Sequence, residues 1–252
     1  MRLGLIGAGN MASALARGIG EPVLVADIDR EKAVRLADEL GGEAVESNAE
    51  LAERADAIVL CHKPKQLEDV AVEVGGRAQV VISILAAVTT ERLAGAYPGA
   101  PVYRFIPNIP AEVGRGVLCY TPGPGAADGP EQEILDLFGR AGTIIRLDDE
   151  PLIEPAMALM SCGPAFMALV GEAFADAGTA HGLSPDDASR MIVETMAGTA
   201  AYLAEHGYGT EALRARVATP GGATERGLIE LEDRGLREVC RAAVDAVVEM
   251  TR

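Results

Sequence analysis

The chain has 252 residues, with 38 acidic and 22 basic side chains and a formal net charge of −16. This charge argues against broad binding to nucleic acids or anionic membranes, since both require a basic face. It does not exclude an anionic small molecule, because backbone amides bind phosphates in acidic proteins as well. The length suits one large or two small domains.

The stretch GLIGAGNMASALA, residues 4–16, joins a short apolar strand to an Ala- and Leu-rich helix. Gly7, Gly9 and Ala12 fall at the turn between them. There the first glycine permits the turn, the second lets a pyrophosphate approach the backbone, and the small third residue lets helix and strand pack closely. A purely structural turn is the alternative, but the elements that follow favour a dinucleotide site.

The second apolar run, VLVAD, ends at Asp27, about twenty residues after the first glycine. A carboxylate at this point can accept hydrogen bonds from the adenosine ribose, although an ordinary surface aspartate would fit the same pattern. The run continues as Ile28, Asp29 and Arg30. Two acids beside one base oppose the 2′-phosphate of NADPH, so the sequence predicts NADH or NADPH as cofactor, with NADH favoured.

Up to about residue 147, short apolar runs alternate with helical, charge-bearing segments. The later strand-like runs are AIVLC, VVISIL, VYRFI, GVLCY and TIIRL. This alternation is typical of βαβ units and a mostly parallel sheet. We therefore predict an α/β dinucleotide-binding domain of the Rossmann type, with a doubly wound sheet, over residues 1–150.

After residue 151 the strand patterns stop, and Ala, Met, Leu and Glu recur at helical spacing. Ser184 and Pro185 predict the start of one helix, with serine as the cap and proline at the first helical position. A bundle packed on itself and a dimerisation domain are both compatible with this pattern. About a hundred residues is small for a bundle that also carries a substrate site. We therefore predict that residues 151–252 form an all-α dimerisation and substrate-binding domain.

The four cysteines are far apart and form no C-x-x-C pair. Neither a disulfide framework nor a metal site is expected, which favours a reducing compartment and hence the cytoplasm. The chain enters its first strand directly, with no leader-like segment before it, and no apolar run is expected to reach transmembrane length.

Six segments resemble one family in consistent order along nearly the whole chain. They are GLIGAGNMASA at the start, HKP at 62–64, SILAAVT at 83–89, RFIPNIP at 104–110, GPAFMALVGEAFADAG at 163–178 and VATPGGATERGLIELE at 217–232. The family is pyrroline-5-carboxylate reductase, and the Pro-Gly-Gly loop near the end is its most specific motif. The resemblance implies NAD(P)H-dependent reduction of the cyclic imine 1-pyrroline-5-carboxylate, or a close analogue, to L-proline by a homodimer or a larger oligomer of dimers.

The same resemblance implies a set of cofactor-binding residues. Asn48 matches a position near the adenosine, and Ala86 lies in the loop that flanks the nicotinamide. The pyrophosphate turn and the turn beside the cofactor comprise Gly7, Gly9, Asn10, Met11, Ala12, Lys63 and Pro64. Alternatively, Lys63 is an ordinary solvated side chain that does not contact the cofactor.

Substrate-binding residues follow from the resemblance as well. Asn108 matches the floor of the active site, and Gly221, Gly222 and Thr224 match the loop that binds the substrate carboxylate and ring nitrogen, in a site completed across the dimer. A hydroxyl near the nitrogen is chemically apt, so Thr224 is the predicted catalytic residue. Two structural alternatives remain, in which Asn108 stabilises a turn and Thr224 caps a helix beginning at Glu225.

The sequence departs from the family pattern at several of these segments. The family's S-G-S-G-P-A is here LMSCGPA, with Met160 and Cys162, and its S-I-A-A-G is here SILAA. His62 replaces a usual valine, and Glu225 and Arg226 stand where apolar residues are more usual. The departures leave room for two other functions.

One other function is that of a β-hydroxyacid dehydrogenase-like enzyme. Such an enzyme needs a catalytic lysine on a long interdomain helix, and residues 154–180 contain none. The other is that of a catalytically silent dinucleotide-binding regulator, which a turnover assay would separate from a reductase.

Overall fold

The computed structural model describes residues 1–251, which divide into two compact units, residues 1–164 and residues 165–250. The predicted domain boundary after residue 150 lies fourteen residues before this division and stays a prediction.

The first unit is built on one eight-stranded sheet. Its strands are β1 (Leu3–Ile6), β2 (Leu24–Ala26), β3 (Glu43–Ala44), β4 (Ala57–Leu60), β5 (Val81–Ser83), β6 (Val102–Ile106), β7 (Gly116–Pro122) and β8 (Gly142–Arg146). Their order across the sheet is β3-β2-β1-β4-β5-β6-β7-β8. All neighbouring pairs are parallel except β6 and β7. The predicted Rossmann-type parallel sheet is therefore confirmed.

Helices cover both faces of this sheet. They are α1 (Asn10–Ile19), α2 (Arg30–Leu40), α3 (Asn48–Arg54), α4 (Leu67–Val74), α5 (Thr90–Ala96), α6 (Glu131–Phe138) and the short α7 (Ile153–Ala156). Side chains alternate between the faces of a strand. Leu5 of β1 accordingly packs in a core with α1, α2 and α6, whereas Ile6 packs in a second core with α3, α4 and α5.

The order of the strands reverses between β1 and β4, which are neighbours in the sheet. Their register pairs Ile6 with Leu60, so the turn after β1 and the residues after β4 leave the sheet side by side. In open α/β sheets, ligands bind in the crevice at this switch point, outside the carboxyl ends of the strands.

The second unit is helical. Its helices are α8 (Gly163–Ala180), α9 (Pro185–Glu205), α10 (Thr210–Val217), α11 (Ala223–Asp233) and α12 (Leu236–Thr251). The predicted start of α9 is confirmed, because Ser184 Oγ accepts a hydrogen bond from the Asp187 amide over 3.1 Å and Pro185 is the first helical residue. Large apolar side chains of α8 and α9 are exposed, including Leu169, Phe174, Met191 and Val193.

The helical run Glu150–Ala180 contains 31 residues and is long and apolar enough to cross a membrane by length and composition alone. The expectation that no run reaches transmembrane length was therefore wrong. The run comprises a 3₁₀ turn over Glu150–Leu152, α7, a π-helical turn over Met157–Ser161 and α8, with a bend at Cys162 before α8. Acidic residues such as Glu172 interrupt the apolar sequence, but the mean hydropathy of the helix stays high.

Candidate functional site

The turn after β1 has the close contacts that a glycine requires. Gly7 adopts φ +109°, and a Cβ atom there would lie 2.9 to 3.0 Å from the backbone of Cys61 and His62. Its amide donates to the Ala26 carbonyl oxygen over 2.8 Å, which ties the turn to the end of β2. The backbone therefore passes between two neighbouring strands where no other side chain fits.

Helix α1 begins directly after this turn. Gly9 is the N-cap and has no side chain to cap the helix, and Ser13 donates the first intrahelical bond, to the Gly9 carbonyl oxygen over 2.9 Å. The amides of Asn10, Met11 and Ala12 precede that bond, as the first amides of any helix do. A Cβ atom on Gly9 would meet nothing within 4 Å. The turn thus combines free helix amides with open space, which suits a pyrophosphate.

Asp27, at the end of β2, is hydrogen-bonded to this turn. Its Oδ2 accepts from the Ala8 amide over 2.6 Å, and its Oδ1 accepts from the Asp29 amide over 2.8 Å. Each carboxylate oxygen has two acceptor positions, so one remains on each oxygen for a further donor. The side chain is half-buried. Asp27 therefore stabilises the turn and still offers acceptors to ribose hydroxyls.

The cations that follow Asp27 have acidic partners. Arg30 donates to the Val45 carbonyl oxygen over 2.7 Å and forms a 2.6 Å ion pair with Glu46. The Lys32 ammonium lies 3.2 Å from Asp29. The positive charge at the end of β2 is thus largely neutralised by the chain itself.

The residues after β4 lie beside the turn. Lys63 is exposed, and Pro64 begins a short 3₁₀ turn, Pro64–Gln66. The Nδ1 atom of His62 donates to the Lys63 carbonyl oxygen over 2.9 Å, whereas its buried Nε2 has no hydrogen-bond partner among residues 1–251. Burial lowers the pKa of this imidazole. Its effect outweighs the hydrogen bond to Lys63 and the negative charge of Glu73, which both raise the pKa. His62 is therefore a neutral residue of the turn.

Asn48, the predicted adenosine contact, is the first residue of α3. Its side-chain amide donates to the carboxylate of Glu73 on α4 over 2.5 Å. In this structure the side chain joins α3 to α4. A contact with adenosine stays a prediction.

The loop that contains Ala86 is exposed and carries a strained residue. Ala87 adopts φ +55°, one of two non-glycine residues with positive φ among residues 1–251. It stands where the resembled family has glycine, and the Cβ atom makes this conformation unfavourable. The strain lies next to Ala86, the residue predicted to flank the nicotinamide.

Replacing Ala87 with glycine should raise the free energy of unfolding by about 1 kcal/mol, because the glycine relieves the left-handed strain. Urea unfolding followed by circular dichroism measures the change. Ala86→Gly is the matched control and should lower stability, because Ala86 has no positive φ to relieve. A stability loss of equal size in both variants would contradict the assignment of strain to Ala87.

Asn108 connects three backbone segments of the first unit. Its Oδ1 accepts from the Val117 amide and its Nδ2 donates to the Met160 carbonyl oxygen, both over 2.9 Å. The side chain of Ser161 adds a bond to the Pro107 carbonyl oxygen, also 2.9 Å. Asn108 is buried and supports the π-helical turn that contains Met160. One of its two amide hydrogens remains for a ligand, so its substrate contact stays a prediction.

Arg104 on β6 is a buried cation that the sequence reading did not single out. Its side chain is 2% exposed and forms ion pairs of 2.9 Å with Glu150 and 3.2 Å with Glu154. Glu150 also accepts from the amide and the hydroxyl of Thr90, over 2.8 and 2.7 Å. This cluster, Arg104, Glu150, Glu154 and Thr90, joins β6 and α5 to the segment that leads into α7. An arginine inside the apolar strand VYRFI was the signal that could have found it, because a buried charge requires partners.

The Pro-Gly-Gly loop lies in the second unit, before α11. Gly222 is the N-cap of α11 and Thr224 is its second helical residue, so the alternative in which Thr224 caps a helix starting at Glu225 was wrong. A glycine with an extended backbone begins this helix without a side-chain cap, and Thr224 is exposed. The Gly221 amide donates to Glu225 Oε2 over 2.6 Å. The sequence reading had noted Glu225 only as a departure from the family.

Predicted site residues thus lie around the turn after β1 and the start of the segment after β4, and in the Pro-Gly-Gly loop. Asn48 joins α3 to α4 and Asn108 supports the π-helical turn, so these two belong to neither group. Among residues 1–251 there is no cluster of three or more potential metal ligands. Cys61, Cys119, Cys162 and Cys240 are free thiols, and burial raises the pKa of the Cys61 thiol well above its usual range.

Comparisons with known proteins agree with this geometry. A family model described as NADP oxidoreductase, coenzyme F420-dependent, matches residues 2–87, which contain the turn and Asp27. A second, described as pyrroline-5-carboxylate reductase dimerisation, matches residues 150–252. The fold and the turn thus define a dinucleotide-binding oxidoreductase with a helical dimerisation domain.

Relatives over nearly the whole chain identify the family. The pyrroline-5-carboxylate reductase of Aquifex aeolicus is 31% identical, with 94% of this chain and 91% of the relative covered. That of Mycobacterium leprae is 32% identical, with 97% and 94% covered. The crystal structure of the Plasmodium falciparum pyrroline carboxylate reductase with NADP bound has a TM-score of 0.88 and 26% identity, and 100% of this chain and 97% of that chain are covered. This chain belongs to the pyrroline-5-carboxylate reductase family.

Proposed function

We propose that the protein reduces 1-pyrroline-5-carboxylate, or a close cyclic imine analogue, to L-proline or the corresponding cyclic amine with NAD(P)H. The observation that carries the proposal is the similarity to reductases of this name over nearly the whole chain, including the Pro-Gly-Gly loop. Free amides at the start of α1 and acceptors on Asp27 support a dinucleotide cofactor.

The cofactor supplies a hydride to the imine carbon. The amides of Asn10, Met11 and Ala12 would hold its pyrophosphate, because they precede the first helical bond. Asp27 would accept the ribose hydroxyls, and the open space at Gly9 lets the phosphates reach the backbone. Asn48, Lys63, Pro64 and Ala86 complete the proposed set by family resemblance.

The substrate would be held by Asn108, Gly221, Gly222 and Thr224. A protonated imine is already electrophilic, so the protein mainly orients the ring against the cofactor. The Thr224 hydroxyl would hydrogen-bond at the ring nitrogen, which keeps a proton there as the C=N bond is reduced. No histidine acid is needed for this step.

A turnover assay tests the proposal. Purified protein with NADH or NADPH is mixed with a panel of cyclic imines and, separately, with keto acids, and cofactor oxidation is followed. Oxidation above a no-enzyme control with 1-pyrroline-5-carboxylate supports the proposal. Turnover of a keto acid or another imine in place of it would assign a different reductase activity, and no turnover at all would favour a silent dinucleotide-binding regulator.

Replacing Thr224 with alanine should lower kcat/KM for the imine about ten- to hundredfold, because a hydrogen bond to a charged group contributes about 1.5–3 kcal/mol. Steady-state kinetics measure this, and fluorescence titration should show nearly unchanged NAD(P)H affinity. Thr210→Ala, at the exposed start of α10, is the matched control. Unchanged kinetics in Thr224→Ala would leave the hydroxyl without a role in the reaction.

We further propose that NADH is preferred over NADPH, by on the order of tenfold in kcat/KM, or about 1.4 kcal/mol. A 2′-phosphate near Asp27 would meet a negative charge, whereas ribose hydroxyls would meet acceptors. Arg30 would have to give up its contacts with Val45 and Glu46 to reach the phosphate. The neighbouring cation Lys32 is likewise paired, with Asp29.

Substituting Asp27 with serine should narrow or reverse this preference, because the repulsive charge is removed. Kinetics and cofactor titration with both dinucleotides measure the change. Asp38→Asn removes a charge from the far end of α2 and should leave the preference as it is. A wild-type protein that uses NADPH better than NADH would refute the proposed role of Asp27.

We propose that the oligomer is built from homodimers through the helical unit, which exposes large apolar side chains on α8 and α9. Light scattering should then report at least twice the chain mass of 26.2 kDa.

We also propose a cytoplasmic location, because the four cysteines form no disulfide.

A further inference from the structure

The Pro-Gly-Gly loop binds a carboxylate of its own chain. The Gly221 amide donates to Glu225 Oε2 over 2.6 Å, so its acceptor is a carboxylate oxygen. Glu225 is the third residue of α11 and reaches back over the start of the helix. The Gly222 amide is already satisfied by the Thr219 carbonyl oxygen over 2.9 Å. The Gly221 amide can therefore bind an anion, and in this structure it binds a carboxylate of the same chain.

Glu225 has no ion-pair partner among residues 1–251. The two arginines of α10 and Arg237 of α12 have other partners. Arg214 and Arg237 both pair with Glu232, over 3.5 and 2.7 Å. Arg216 donates to the Tyr202 hydroxyl over 2.5 Å. The carboxylate at the loop is therefore not neutralised by a salt bridge.

We infer that Glu225 determines substrate specificity by competing with the substrate carboxylate for the Gly221 amide. This inference rests on the proposed function, which assigns the loop to the substrate. Two carboxylates cannot share one N–H donor well, and their like charges repel each other at short range. The loop consequently selects less strongly for an anionic imine, and a neutral cyclic imine without a carboxylate is a second substrate class.

The chemistry of that second class is the same reduction. With 1-pyrroline, the hydride of NAD(P)H forms a C–H bond at the imine carbon and the C=N π bond breaks. The nitrogen gains a proton, pyrrolidine forms, and the oxidised dinucleotide is released. Glu225 keeps its hydrogen bond to Gly221 throughout, because this substrate brings no competing carboxylate.

The test compares 1-pyrroline-5-carboxylate with 1-pyrroline in the wild type, Glu225→Gln and Glu225→Leu. The glutamine variant removes the charge and keeps an acceptor, whereas the leucine variant removes both. The ratio of kcat/KM for the carboxylated imine to that for the neutral imine should rise about tenfold in Glu225→Gln, equivalent to about 1.4 kcal/mol. The affinity for L-proline, measured by calorimetry with oxidised cofactor present, should rise in parallel. Glu230→Gln removes an acidic charge from the same helix and is the matched control.

An unchanged or lower ratio in both Glu225 variants, with unchanged proline affinity, would overturn the inference and leave the proposed function intact. A wild-type protein that reduces neither imine would remove the proposed function and this inference together. Melting curves establish that each variant is folded, and the glutamine variant decides the question if the leucine variant is not.

Discussion

Replacing Arg104 with leucine should lower the free energy of unfolding by about 3–5 kcal/mol, because it leaves Glu150 and Glu154 without their buried cation. The Arg104 side chain is 2% exposed, and Glu150 and Glu154 are 23% and 21% exposed, so the substitution leaves two largely buried carboxylates without a cation. Glu150 also accepts hydrogen bonds from Thr90, which connects the start of α5 to the Arg104 cluster. Urea unfolding followed by circular dichroism measures the loss.

Arg92→Leu is the matched control. Arg92 pairs with Glu68 on the surface, where the two side chains are 47% and 62% exposed, and such pairs contribute about 0–1 kcal/mol. Equal effects of the two substitutions would show that burial does not strengthen the Arg104 cluster.

The effect of Arg104→Leu should depend on pH. Burial tends to raise the pKa of Glu150, but its hydrogen bonds with Thr90 and Arg104 outweigh burial and hold the pKa below its ordinary 4.5. A lowered carboxyl pKa contributes stability above the unfolded value, and that contribution is lost as the pH falls through the folded value. The deficit of the variant should therefore shrink below about pH 4.5. A constant deficit from pH 7 to pH 3 would contradict this account.

Replacing Gly9 with threonine should weaken NAD(P)H binding about a hundredfold or more, about 2.8 kcal/mol, while the fold remains stable. The backbone of Gly9 is ordinary for any residue, with φ −74°, and its Cβ direction is open. Threonine and glycine are similar as helix N-caps, so α1 should form equally well. The added side chain would fill the space through which the phosphates reach the amides. Titration of NADH fluorescence and thermal melting measure the two properties separately.

Gly7→Ala gives the contrasting result. Positive φ and backbone atoms at 2.9 Å make any side chain at Gly7 strained, so this variant should lose stability and cofactor binding together. Undiminished cofactor binding by Gly9→Thr would mean that the dinucleotide does not approach this turn.

The sequence predicted most of the α/β unit because seven of the eight strands carried a local signal, whereas the two-residue strand β3 had no apolar run. Apolar runs of strand length alternated with amphipathic helices, and glycines marked the turn after β1. The antiparallel direction of β7 had no such signal, because residue pattern does not reveal the direction in which a strand runs. The length of the helical run ending at Ala180 was missed for a related reason, since its continuity depends on a π-helical turn.

At the candidate site, the residues that take part were easier to predict than the hydrogen bonds that they form. Asp27 was predicted as a ribose acceptor, but its bonds to Ala8 and Asp29 depend on how β2 lies beside the turn. Asn108 was predicted to lie in the site, and its bonds to Val117 and Met160 join segments that are distant in sequence. Glu225 was visible only as an unusual residue. Long-range hydrogen bonds leave little trace in a single sequence.

The double role of Asp27 constrains how cofactor choice can be changed. Its carboxylate fastens the glycine turn through Ala8 and is also the group that would repel a 2′-phosphate. A protein engineer who removes it to admit NADPH also loosens the turn that we propose as the pyrophosphate site. The first mutational step therefore weakens the scaffold before any new phosphate contact exists. A stepwise route to NADPH use should begin with compensating substitutions, such as relief of the strain at Ala87, and exchange Asp27 afterwards.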